Sequence, residues 1–83
     1  MENEKQVKVR YFAVLREKSS QSEEVVTTAA TTYRELFVEL QKNYNFPLDD
    51  TQIKVAVNDA FSDLDQAIQG GEEIIFIPPV AGG

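Results

Sequence analysis

The run Ile74-Ile75-Phe76-Ile77 constrains this chain more than any other feature. β-Branched and aromatic residues favour a strand, and successive strand side chains point to opposite faces. This run is apolar on both faces, so a strand over Glu72 to Ile77 must be central or covered. Two prolines follow at once, Pro78 and Pro79, and proline cannot donate to a ladder. The earlier residues must therefore supply the neighbours of this strand. At 83 residues, the chain 1–83 reads as one domain with a modest core.

The earlier residues divide accordingly. Val7, Val9 and Tyr11 alternate with Lys8, Arg10 and Phe12, which predicts a first strand with a core face and an outer face. Ala13 to Lys18 has room for one helical turn, before a polar loop through Ser19 to Ser22. Glu23 to Thr28 predicts a second strand that pairs with the first. Thr32 and Glu35 fit a capping box, and Tyr33, Leu36, Phe37, Leu40 and Tyr44 then share one helical stripe. That helix should end near Asn45, ahead of Pro47. Ile53, Val55 and Val57 alternate as a third strand, Asn58-Asp59 signals a turn, and Ala60-Phe61 predicts a short fourth strand. A turn of helix is expected near Asp63 to Ile68, and Gly70-Gly71 breaks the chain before the last strand. The expected fold class is α+β, a mixed sheet with the main helix on one face.

Composition removes several kinds of function. The chain lacks cysteine, hence any thiol nucleophile, and lacks histidine, the usual base at neutral pH and commonest metal ligand. No metal site is expected. The net charge of −6 disfavours nucleic acid and anionic membrane surfaces. No apolar run approaches membrane-helix length, and Met1 to Gln6 is polar, which makes the cytoplasm the expected location.

The ending Pro78-Pro79-Val80-Ala81-Gly82-Gly83 forms an extended C-terminal tail over 78–83. A frayed end is the plain reading. The alternative is chemical. Prolines stiffen its base, the residues after them are small, and Pro79 to Gly83 could reach roughly 16 Å. A terminal carboxylate becomes reactive when ATP converts it to an acyl-adenylate. An activating enzyme must shield that intermediate from water, and residues without side chains fit a narrow channel.

In size, element order and the ending IPPVAGG, the chain resembles the ubiquitin-like (β-grasp) sulfur carriers, and among them the small subunits of molybdopterin synthase. The opening VKVRYFAVLRE, the VAVN segment at Val55 to Asn58 and GGEEIIFIPPVAGG carry the likeness, which spans Val7 to Gly83. The resemblance implies a cycle. An ATP-dependent activating enzyme adenylates Gly83, a sulfur donor converts it to a thiocarboxylate, and Pro79, Val80, Ala81, Gly82 and Gly83 enter the large synthase subunit. The catalytic side chains would belong to that subunit, and no cofactor would be bound stably here. Other β-grasp carriers, of the thiamine or protein-conjugating type, and a plain interaction module are the alternatives.

Strand parity adds a docking surface. If Val9 and Tyr11 face the helix, Phe12 points away, as Ile75 and Ile77 do when Ile74 and Phe76 face it. With Phe61, these make an outer apolar patch of Phe12, Phe61, Ile75 and Ile77 near the root of the tail. Arg16, just after the first strand, is a further candidate for partner binding. Scattered exposure is the competing reading for each residue. The acidic pairs Glu23-Glu24, Asp49-Asp50 and Glu72-Glu73 read as solvated charge.

Overall fold

The structure is a computed structural model, and it describes residues 4–79. Strand β1 (Lys5–Tyr11) leads into helix α1 (Ala13–Ser19), then β2 (Glu23–Thr28) and the main helix α2 (Tyr33–Tyr44). Strands β3 (Lys54–Val57), β4 (Ala60–Ser62) and β5 (Glu73–Ile77) complete the order. They form one mixed five-stranded sheet, ordered β2-β1-β5-β3-β4. β5 lies at its centre, parallel to β1 and antiparallel to β3. That position answers the demand of a strand apolar on both faces.

One face of the sheet and one stripe of α2 make the core. Val7, Val9, Tyr11, Val55, Ile74 and Phe76 bury against Leu36, Phe37 and Leu40. Phe37 meets Phe76 edge-on at 5.2 Å between ring centroids and stacks with Phe46 at 5.8 Å. The Phe37–Phe76 contact ties the last strand to the helix.

The start of α2 is capped as its sequence predicts. Thr32 Oγ1 accepts the N–H of Glu35 at 3.2 Å. The Glu35 carboxylate reaches back to the N–H of Thr31 at 2.8 Å. Asn45 closes the helix in the left-handed conformation, its N–H donating to the Gln41 carbonyl.

Two local expectations change. Helix α1 runs through a buried Ser19, longer than the single turn expected, because its Leu15 is fully buried and anchors the segment. The turn of helix expected near Asp63 to Ile68 does not form. The Asp63 carboxylate instead accepts the N–H of Asp65 at 2.9 Å, an Asx turn. The carbonyls of Leu64 and Gln66 accept the N–H groups of Arg34 and Tyr33, and the Ile68 N–H donates to Thr31. The open amides at the start of α2 therefore use backbone groups that a helix would have turned inward.

Candidate functional site: the outer face beside the root of the tail

The outer face of the sheet is set by register. Arg10 pairs across β1 and β5 with Ile75, Ile75 with Ala56 on β3, and Ala56 with Phe61 on β4. The row Arg10–Ile75–Ala56–Phe61 thus crosses four strands on the face opposite α2. Ile77 lies one step along, opposite Lys54. Ile75 and Ile77 are half-buried and Ala56 is buried. Phe61 is 76% exposed and Phe12 is 40% exposed.

Local geometry displays the two aromatic rings. Asn58 and Asp59, with φ of 51° and 73°, make the two-residue turn that joins β3 to β4 and sets Phe61 on the sheet edge. Ala13, with φ of 54°, turns the chain out of β1 immediately after Phe12. The Arg10 guanidinium lies 5.7 Å from the Phe12 ring centroid and also approaches Glu23 at 4.0 Å and Glu73 at 3.7 Å. These exposed pairs orient Arg10 and contribute little to stability. Arg16 is exposed in the last turn of α1 and takes no part in the strand pairing that sets this row.

Pro78 is half-buried and Pro79 exposed, so the root of the tail leaves the sheet beside Ile77 and Lys54. Val80, Ala81, Gly82 and Gly83 lie outside the described residues. Sequence reasoning placed Arg10 on the outer face of the first strand but missed Lys54 and Ala56 as members of this face. The alternation that placed Ile75 outward would have placed them too, once the pairing partners were known.

The acidic pairs differ from a uniform solvated charge. Glu72 is only 6% exposed. Its carboxylate accepts from the N–H of Gln69 and of Gly70, each at 2.6 Å, and from the Tyr33 hydroxyl at 2.9 Å. Burial works against its charge, but these donors hold the carboxyl below its usual range. Burial, and then Glu72, push the Tyr33 phenol up to about 12. The turn is possible because Gly70 and Gly71 take φ of 107° and 86°. Glu24 is half-buried and accepts from Tyr11 and Tyr44. Burial first, and then Glu24, raise the Tyr11 phenol well above its ordinary range. Both carboxylates fasten the frame that presents β5; neither faces the outer row. Among the described residues, no cluster of three or more acidic side chains is placed to hold a metal ion. No helix there is long and apolar enough to cross a membrane.

The geometry thus sets a central strand that ends in two prolines beside the largely apolar row Arg10–Ile75–Ala56–Phe61. A family model described as the ThiS family matches residues 9–83, most of the chain and through its last residue. The chain belongs to the ThiS family. A molybdopterin synthase sulfur carrier subunit of Mycobacterium tuberculosis is 36% identical over 80 residues, spanning 93% of this chain and 96% of the relative. A chain in the complex of subunits 1 and 2 of molybdopterin-converting factor from Helicobacter pylori is 29% identical, with a TM-score of 0.60 over 94% of this chain and 99% of that one. A Haloferax volcanii protein solved in solution superposes with a TM-score of 0.80 at 21% identity, covering 98% of this chain and 89% of that one. The fold is the ubiquitin-like β-grasp.

Proposed function

We propose that this ThiS-family chain is the sulfur carrier subunit of a molybdopterin synthase. The observation that carries the proposal is the family match through Gly83, downstream of a strand held at the centre of the sheet. The relative in Mycobacterium tuberculosis, a sulfur carrier subunit by name, supports the pathway. The Helicobacter pylori complex of subunits 1 and 2 supports a large subunit as partner.

The chemistry follows from the carboxylate. The Gly83 carboxylate attacks the α-phosphorus of ATP on an activating enzyme, and pyrophosphate leaves. A donor that delivers sulfur at the sulfide level then attacks the acyl carbon, and AMP leaves. The product is a thiocarboxylate in which one oxygen has been replaced by sulfur. The carrier docks its outer row on the large subunit, and the tail carries the sulfur inward. ATP is consumed by the activating enzyme, and this chain supplies the sulfur and the fit.

Intact-mass analysis after incubation with the activating enzyme, ATP and a sulfur donor tests the proposal. One oxygen should be exchanged for one sulfur, and fragmentation should localise the change to Gly83. Deleting Gly83 would retract the reacting carbon by about 3.3–3.6 Å, and misplacement of about 1 Å can cost about a hundredfold in rate. The deletion variant should fold and dock yet transfer no sulfur. An unmodified terminus, with normal pterin sulfuration by the deletion variant, would refute the proposal.

A further inference from the structure

β4 is one edge of the sheet, and a groove of about 360 Å³ lies beside it. Buried Ile53 and Val55 and half-buried Leu64 form its floor, while exposed Phe61 and Lys54 stand at its mouth. Arg34 also borders the groove, but its charge is already matched by Asp50 at 2.6 Å and Asp65 at 2.8 Å. Lys54 differs. Among the described residues it makes no ion pair. Its strand register sets it opposite Ile77, at the root of the tail. Phe61 and Lys54 thus belong both to the outer face and to the groove, so one binding surface continues around the sheet edge.

We propose that the large subunit extends past the outer row and lays a segment along the β4 edge. The segment places one apolar side chain on the floor of the groove and a carboxylate on Lys54. The inference rests on the docking reading above and names the contacts that surface makes. An unmatched cation beside an apolar floor calls for an apolar residue next to an acidic one. β4 contributes an edge with an open ladder side, which suits an extended segment. A second copy of this chain fits less well, because two chains of net charge −6 repel one another.

Calorimetric titration with the purified cognate large subunit tests this. Lys54→Glu should weaken binding by about tenfold or more at low salt, because it replaces attraction by repulsion. Lys54→Gln should weaken it less and flatten its salt dependence. Ser62→Trp should fill the groove from β4 and weaken binding with an unchanged circular-dichroism spectrum. Lys42→Glu makes the same charge change on the exposed last turn of α2 and should leave affinity unchanged. If Lys54→Glu weakens binding no more than Lys42→Glu, the carboxylate contact is wrong. A folded Ser62→Trp protein with full affinity removes the groove from the interface. Sedimentation of the chain alone covers the remaining occupant: a homodimer that Lys54→Glu dissolves would assign the groove to a second copy and overturn the proposal. Thiocarboxylate formation at Gly83 separates the two readings. A sulfurated wild-type protein whose Lys54 and Ser62 variants bind normally refutes the groove contact alone, whereas an unsulfurated one refutes the carrier function.

Discussion

Truncating Phe61 and Phe12 to alanine should weaken docking and destabilise folding in opposite rank order. Fully burying a phenylalanine side chain is worth about 1.5–3 kcal/mol. Phe61 is 76% exposed in the free chain, so most of that gain is still available to a partner. Complete enclosure of the ring would add about 1.1–2.3 kcal/mol, or roughly a 6- to 45-fold change in Kd. Phe12, at 40% exposed, has about half as much left to gain. In folding the order reverses. Phe61→Ala forfeits about 0.4–0.7 kcal/mol of existing burial, and Phe12→Ala about 0.9–1.8 kcal/mol. Urea denaturation of each variant gives the folding cost, and calorimetric titration against the large subunit gives the docking cost. Unchanged affinity in Phe61→Ala, with a loss in Phe12→Ala, would refute the row as the centre of the interface. Loss of folding in Phe61→Ala would show that the ring belongs to the core.

The other predictions concern the frame. Leu40→Ala removes a side chain that is 2% exposed in the α2 stripe and should cost about 2–5 kcal/mol in chemical denaturation; a change within error would displace Leu40 from the core. Glu72→Gln should reduce stability at neutral pH and flatten the acid limb of the stability profile. The folded carboxyl titrates below its ordinary value of 4.5, so the stability it contributes is fully present above that value. That contribution is lost as pH falls through the folded pKa. Thermal melts of both proteins from pH 7 to pH 3 check the sign, and parallel profiles would remove Glu72 as the source.

The element order of this chain was legible because each element carries a local signal. Alternation marks Val7, Val9 and Tyr11 as one face of β1, and the spacing of Leu36, Phe37 and Leu40 marks the buried stripe of α2. Thr32 and Glu35 mark the start of that helix, and the Asn58-Asp59 turn marks a hairpin. The apolar run from Ile74 to Ile77 required a central strand, and β5 is central. The fold class followed from such short-range patterns. The segment from Asp63 to Ile68 misled the same reasoning. Its conformation depends on amides of Tyr33 and Arg34, about thirty residues earlier, and no local pattern encodes that demand.

Tertiary structure alone decided which acidic residues are structural and which outer residues meet. A sequence distinguishes charged from apolar side chains, but not a solvated carboxylate from one enclosed by donors. Glu72 and Glu73 are adjacent, yet Glu72 accepts from Gln69, Gly70 and Tyr33 while Glu73 turns outward to Arg10. Strand parity assigned Ile75 to the outer face and the short segment with Phe61 was expected to flank it, but only the pairing of β3 with both β5 and β4 placed Ala56 between them and Lys54 beside Ile77. Alternation is a property of one strand and can be read along it. Neighbourhood across a sheet is a property of register, which the whole core sets at once.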